Sequence, residues 1–499
     1  MHEAMKYTVT FWLLVSVAAN SGSGSGGPPS GASSGSTKVS LGFLVDRLTL
    51  SAKSRDNEDD ERTIGRLIEL NRQLQRERAQ SVIDARRAWR YAPPRMIVVA
   101  NRLPLNVKRG NDGRLEYTVS SGGMVSALLG VRHVRMIWVG WCPVPEDTTP
   151  AELQQVRRAL LARGCVPIFL EPAEAELYYN GFCNDVLWPL FHYVVSRLPE
   201  MDDAADRDEE LWQAYRRVNE RFAEAVSSLA RDTDLVWVHD YHLMLLPSLL
   251  RQRRAQLKVG WFLHTPWPSS EVFRTLPMRK EILQGLLGAD LVGFHVYDYA
   301  RHFLHACTRL LGSEVSFSGR RLRWERTLAA EEGGGVARHA LKVDAFPIGI
   351  DPQRFKRALE LPRVQQRIAE LREEYEGCTV LLGVDRVDYI KGIPQKLLAI
   401  ESLLANRPDL VGKISLLQIA VPTRTDVPEY QRLRASAHRL VGRINGKYGS
   451  TSYVPIHYLD KSIEFEEMVA LYHVADVCIV TSLRDGMNLV SYALPSLPP

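Results

Sequence analysis

The chain has 499 residues, 45% of them hydrophobic, enough for two or three domains with full cores. Its 63 Lys and Arg against 58 Asp and Glu leave a net charge of +5 with no basic block or aromatic-interleaved stripe, which argues against a nucleic-acid partner. Cys142, Cys165, Cys183, Cys307, Cys378 and Cys478 lie far apart without a C-x-x-C pair, so they are expected to be reduced core residues of a cytosolic protein.

Residues 7–19 form an apolar run behind Lys6, with Val17-Ala18-Ala19 as a small-residue cleavage site. The run is too short to span a bilayer. A secretory signal and an unusual or misassigned first exon are the two readings of it. The first 36 residues end in a Gly/Ser-rich linker, and residues 37–94 form a charged extension with a helical pattern at Ile64, Leu67, Ile68 and Leu70.

From residue 96 onward, short apolar runs stop at polar residues and alternate with helical stretches, the pattern of a parallel α/β sheet. Residues 96–100 end in Asn101-Arg102, 235–238 in His239-Asp240, 259–263 in His264 and 291–294 in His295. In a second series, 379–384 end in Asp385-Arg386, 414–420 lead to Arg424, and 477–480, apolar enough for a central buried strand, lead to Arg484-Asp485. Residues 345–351, with Pro347 and Gly349, read as the joint. The expected architecture is α/β: two facing Rossmann-like domains, 95–347 and 348–492, followed by a divergent tail, 493–499.

Arg386 and Lys391, in Gly-Val-Asp-Arg-Val-Asp-Tyr-Ile-Lys-Gly (383–392), stand where a buried strand empties into a loop, a suitable place to hold a diphosphate. The alternative is surface pairing with Asp385 and Asp388. Gly122-Gly123, ahead of a helical run at 124–129, fits either a helix N-terminus approaching phosphate or a helix start needing a small residue. His239-x-x-His242 and His302-x-x-His305 lack accompanying Cys or carboxylates, and Asp232-Thr233-Asp234 precedes its strand, so no metal site is expected and the last reads as a turn.

Eight ordered motifs carry a resemblance that runs from 96 to 492: Asn101-Arg102-Leu103-Pro104; 179–189 (YNGFCNDVLWP); His239-Asp240-Tyr241-His242; Phe262-Leu263-His264-Thr265-Pro266; 383–392; 422–427 (PTRTDV); 442–447 (GRINGK); and 484–490 (RDGMNLV). Together they closely resemble the trehalose-6-phosphate synthases, most of all the plant enzymes. The resemblance implies a retaining glycosyltransferase of the two-Rossmann GT-B type, without cofactor or metal, that moves glucose from UDP-glucose to glucose 6-phosphate. On the donor side it implies Arg386 and Lys391 at the diphosphate, Gly122 and Gly123 at a close backbone approach, His264 at the sugar and Ile463 at the uracil. Asp485, Met487, Asn488 and Leu489 would hold glucose and diphosphate. On the acceptor side it implies Arg102, Trp141, Tyr179, Trp188, Asp240 and Arg424, with Tyr179 and Trp188 offering flat faces to a pyranose. The catalytic set would be Asp240, His264, Arg386, Lys391 and Asp485. The resemblance favours same-face attack, the leaving phosphate taking the acceptor proton, over double displacement through a carboxylate nucleophile.

After Tyr492 the family continues with a Glu for the nucleotide ribose, where this chain has Ala493-Leu494-Pro495. The expectation is a C-terminally truncated form lacking that ligand, the last strands and the returning helix, which would leave the 477–480 strand with an unpaired edge and an uncovered apolar face. Two readings stay open: an active synthase, and an inactive isoform that binds sugar phosphate or a full-length partner in a regulatory role, as a homo- or hetero-oligomer. A cytoplasmic location is expected, with no membrane span, because an exported chain would be cut off from nucleotide sugars.

Overall fold

Six residues of β1 (Met96–Arg102) are buried, and the seventh, Arg102, emerges at the strand's carboxyl end. That arrangement recurs through the molecule. The structure, a computed structural model, describes most of residues 95–493; residues 1–94, 195–203, 425–426 and 494–499 and parts of 121–133 and 313–336 lie outside the description. The expectations for the N-terminal run, the linker, the charged extension, Gly122-Gly123 and the tail beyond Ala493 fall there.

The remaining strands are β2 (Leu105–Arg109), β3 (Leu115–Val119), β4 (Met136–Trp141), β5 (Cys165–Ile168), β6 (Leu235–His239), β7 (Lys258–Phe262), β8 (Leu291–Phe294), β9 (Val315–Ser318), β10 (Arg321–Leu328), β11 (Ala337–Ala345), β12 (Thr379–Arg386), β13 (Ile414–Val421), β14 (Ile456–Leu459) and β15 (Val477–Cys478). Nine form one sheet in the order β5-β4-β1-β6-β7-β8-β11-β10-β9, four form a second in the order β14-β13-β12-β15, and β2 pairs with β3 as a hairpin. The ladder from β5 to β11 is parallel, and β10 runs antiparallel to its neighbours β11 and β9. The second sheet is parallel throughout. These are the two Rossmann-like halves of a GT-B fold.

Side-chain alternation explains why both sheets are covered on two faces. Ile97, Val99, Val236 and Val238 enter one core, while Met96, Val98, Leu235 and Trp237 enter another on the opposite face. Val380, Leu382, Leu417 and Ile419 are likewise separated from Leu381, Leu416 and Ala420. Residues 346–351 carry no regular structure and lead to the helix Pro352–Leu359, which Asp351 caps by accepting from the Gln353 amide.

The structure sharpens three readings. The apolar run at 477–480 supplies β15, two residues long, which among the described residues pairs with β12 alone and leaves Val477 46% and Val480 42% exposed, so the run lies at the unpaired edge expected of it and is not enclosed on both sides. Apolarity alone does not distinguish an edge from a centre. β4, β5, β14 and the antiparallel β9 to β11 were absent from the strand series read above. Finally, Asp234 does more than make a turn: buried, it accepts from Arg95 Nη2 at 2.5 Å and from the Arg231 amide at 2.9 Å, fastening the start of β1 to the start of β6.

Two details of β12 set up the site. Beyond its end, Asp388 accepts from the Ile390 amide and starts the short 3-10 turn Tyr389–Lys391. Gly392 then takes φ +65°, with the Thr481 carbonyl where a Cβ would lie, and opens the helix Ile393–Asn406. Beneath the strand end, Lys396 Nζ donates to Asp385 Oδ2 at 2.6 Å and Gln418 Nε2 donates to the same oxygen at 3.1 Å, all three residues being buried. Removing one partner of a buried pair strands the other charge. Lys396→Met is therefore expected to destabilise the chain by about 3–5 kcal/mol in urea unfolding, and a loss under about 1 kcal/mol would mean that Asp385 does not depend on this cation.

Candidate active site between the two sheets

In open α/β sheets, ligands bind beyond the carboxyl ends of the strands where strand order reverses. In the first sheet the chain leaves β1 for β4 and β5 and returns to β6 on the other side. In the second it leaves β12 for β13 and β14 and returns to β15. Arg102 and Asp240 follow β1 and β6, and Arg386 and the 483–489 loop follow β12 and β15, so both reversals carry residues singled out from sequence.

A cavity of about 360 Å³ lies between the halves, lined among others by Arg102, Trp141, Tyr179, Asn180, Thr423 and Arg424. A register shift between Val99 and Arg102 turns the guanidinium of Arg102 over two rings, 4.9 Å from the Trp141 centroid and 4.8 Å from that of Tyr179. Tyr179 sits on a π-helix, Glu176–Leu187, an uncommon winding found often at functional sites. It is stacked on His242 at 5.8 Å. Burial pushes its phenol up, but the guanidiniums of Arg424 and Arg102 outweigh that and leave it below the usual range.

Arg424 comes from the second half, at φ +48°, yet lies against the first. Its side chain is 6% exposed, its Cζ is 4.3 Å from the Trp188 ring centroid, and it donates to the Tyr430 hydroxyl and, at 3.5 Å, to the Tyr241 hydroxyl. Among the described residues the one carboxylate within 4 Å of it is Asp388, at 3.8 Å. Burial alone would lower its pKa; Tyr241, Tyr430, Tyr179 and Asp388 offset this and hold it above the usual value. Trp188 therefore departs from the expected open pyranose platform, because its ring is buried under this guanidinium.

Asp240 adopts φ 73°, ψ 174°, a region that costs a residue other than glycine about 1–3 kcal/mol. Its amide donates to the Phe262 carbonyl at 2.7 Å and its Oδ1 accepts from the His264 amide at 3.2 Å, which ties the ends of β6 and β7 together. Burial pushes the carboxyl up to about 6, against the lowering pull of the His264 and Tyr241 amides, Arg424 and Arg386. The imidazole of His264 meets His239 Nδ1 through Nε2 at 3.0 Å, with His295 5.4 Å away between ring centroids. Among the described residues no group of His, Cys, Asp and Glu has the geometry of a metal site.

On the donor side, Lys391 Nζ is 2.5 Å from Asp485 Oδ2, and Asn488 Nδ2 donates to the same carboxylate oxygen at 3.3 Å. Asn488 also caps the helix Val490–Ala493 by accepting from the Val490 amide. Tyr299 of the first half donates to the Asp485 carbonyl at 2.9 Å. Gly486 packs so closely on the His264 carbonyl that a Cβ would overlap it. These contacts place the 483–489 loop beside His264. Arg386 is 46% exposed, with its Cζ 5.7 Å from the Trp188 ring.

Not every candidate gathers there. Ile463 packs against the second sheet's core, Met487 accepts from the Tyr492 hydroxyl, and Gly122 and Gly123 lie outside the described residues. Conversely, sequence reasoning passed over Asn180, Thr423, Tyr430 and Asp388. Asn180, Thr423 and Asp388 sit inside quoted motifs, so position in a motif was the available signal.

Four buried imidazoles and the half-buried His264 predict the acid response. Burial lowers His192 and His295 to about 4 and His239 to about 3, and holds His242 and His264 well below their usual value. Each contributes stability that is full above about pH 6.5 and is lost as pH falls toward its folded value, about 1.4 kcal/mol per pH unit. Asp240, pushed up to about 6, acts oppositely, its contribution being full below about pH 4 and lost as pH rises through 6. Five outweigh one, so the melting temperature is expected to fall steeply from pH 7 to 5.5, with protons taken up on unfolding. A flat or rising profile would show that these imidazoles are hydrated or charged in the folded chain.

Comparison with known proteins agrees with this geometry. The chain is 51% identical over 406 residues to α,α-trehalose-phosphate synthase [UDP-forming] 1 of Arabidopsis thaliana, covering 81% of this chain but 41% of that protein. It is 49% identical over 405 residues to α,α-trehalose-phosphate synthase [UDP-forming] of Schizosaccharomyces pombe, covering 80% and 74%. Among solved structures, one from E. coli bound with UDP-2-fluoro glucose is 30% identical with a TM-score of 0.66, covering 81% of each chain. The α,α-trehalose-phosphate synthase (UDP-forming) of Burkholderia xenovorans in complex with glucose-6-phosphate is 29% identical with a TM-score of 0.65, covering 81% of this chain and 82% of the other. Residues 94–494 match the family model of glycosyltransferase family 20, and the chain belongs to that family.

Proposed function

We propose that the chain transfers glucose from UDP-glucose to glucose 6-phosphate with retention at the anomeric carbon, giving α,α-trehalose 6-phosphate and UDP. The observation that carries this reading is the excess of fixed positive charge where the two sheets meet. Arg386 and Arg424 share one carboxylate at 3.8 Å, and Arg102 stands at the same cavity as Arg424. A buried charge needs a counter-charge. Here a sugar phosphate on one side and a nucleotide diphosphate on the other would supply it.

In this reading, residues 95–347 carry the acceptor and 348–492 the nucleotide sugar. Arg102 and Arg424 take the 6-phosphate of the acceptor, Tyr179 and Trp141 border its ring, and Asp240 orients the attacking hydroxyl. Arg386 and Lys391 take the diphosphate, with Lys391 shared between it and Asp485. Asp485, Asn488 and His264 hold the donor glucose. Trp188 works through Arg424, whose fork it supports. The leaving phosphate accepts the proton of the attacking hydroxyl on the same face, so the protein's contribution is positioning and stabilisation of the departing charge. The motifs at 383–392 and 484–490 support these assignments. The need for cytosolic UDP-glucose supports a cytoplasmic location; among the described residues no helix is long and apolar enough to cross a membrane.

Release of UDP by the purified 499-residue chain, given both substrates, tests the proposal. Binding of both ligands without release would leave a binding role in its place. Within an active chain, Arg386→Ala and Lys391→Ala should each reduce kcat/KM by about 2–4 kcal/mol of transition-state stabilisation while leaving glucose 6-phosphate affinity largely intact. Arg424→Ala should do the reverse, raising KM for glucose 6-phosphate far more than that for glucose. Equal losses for both acceptors would remove Arg424 from the phosphate.

A further inference from the structure

Asp388 is fully buried, and among the described residues only one of its two carboxylate oxygens has a hydrogen-bond donor. Oδ1 accepts from the Ile390 amide at 3.3 Å, whereas Oδ2 has no hydrogen-bond partner among the described residues. A buried acceptor left in that state is costly unless charge compensates it. The compensation in reach is a pair of guanidiniums: Arg386 Nη2 and Arg424 Nη1 each lie 3.8 Å from Oδ2. Both cations also stand over the Trp188 ring, at 5.7 and 4.3 Å, so two like charges share one apolar plate. Without an anion between them they would repel, with solvent screening only the half-exposed Arg386 and not the buried Arg424. The sequence reading had offered Asp388 only as a surface partner that would argue against function.

We propose that Asp388 is a positioning residue that fixes the separation of the donor-side and acceptor-side cations, so that the sites for the diphosphate and for the sugar phosphate are held in register through a single carboxylate. This rests on the function proposed above. The 3-10 turn that Asp388 caps makes the arrangement stiff: the same side chain starts the turn carrying Lys391 and faces Arg424, which arrives from the end of β13. A carboxylate belonging to the donor loop alone would influence only the nucleotide. One placed between the two guanidiniums influences both ligands.

The test uses the full chain and isothermal calorimetry with UDP and with glucose 6-phosphate, on wild type, Asp388→Asn, Arg386→Ala and the double variant. Asp388→Asn is expected to weaken both ligands by about tenfold and to add no further loss of UDP affinity in the Arg386→Ala background, since it acts through that cation. Unchanged affinities, a loss confined to UDP, or losses that multiply in the double variant would each overturn the proposal. Should Asp388→Asn not fold, Asp388→Ser, which keeps an acceptor for the Ile390 amide, takes its place in the cycle. A wild-type chain that binds neither ligand would overturn the functional reading itself, a result distinguishable from failure of the cycle in a chain that binds both.

Discussion

A guanidinium buried between two aromatic rings, with a shared carboxylate as its nearest anion, is the constraint around which the rest of the site is arranged. Arg424 reaches this position from a left-handed backbone conformation, and its charge survives burial because hydroxyls and Asp388 surround it. Such a group is expensive in isolation and becomes comfortable when an anion arrives. The neighbouring features follow from that need. Trp188 gives up its face, Tyr241 and Tyr430 turn their hydroxyls inward, and Asp388 sits buried with a free oxygen toward it.

The fold supplies the place. Both sheets reverse their strand order once, beside β1 in one and beside β12 in the other, and the cavity between the halves is lined by Arg102 after β1 and by Thr423 and Arg424 after β13. Strain collects at the strand ends: Arg424, which lines the cavity, and Asp240, which follows β6, are two of the three residues other than glycine with positive φ among those described. Close backbone approach completes the arrangement. The absence of a side chain at Gly486 lets the 483–489 loop rest on His264, which brings Asp485 and Lys391 of one half against the imidazole cluster of the other.

How much of this was legible in the chain depends on the kind of signal. Strands that end in a charged or imidazole side chain, such as β1 at Arg102, β6 at His239 and β12 at Arg386, announce themselves because an apolar run must stop where solvent or a ligand begins. Short or mixed strands do not. β5 has four residues with a proline among them, and β14 is mostly half-buried, so neither presents a clean run. β15 shows the run clearly, but at two residues it is shorter than the apolar stretch that announced it. Pairwise chemistry was the least visible layer: Asp385 with Lys396, Asp388 with two arginines and Tyr299 with the Asp485 carbonyl join residues distant in the chain or packed by geometry that no spacing encodes.

The central claim is that the chain holds an acceptor phosphate against Arg424 and a donor diphosphate against Arg386 and Lys391. A crystal structure of the chain with UDP and glucose 6-phosphate tests this most directly. The account predicts the 6-phosphate within about 3 Å of Arg424 and Arg102, the diphosphate contacting Arg386 and Lys391, and Asp388 still between the two arginines. A glucose 6-phosphate whose phosphate lies away from Arg424, with UDP bound in the opposite half, would contradict it.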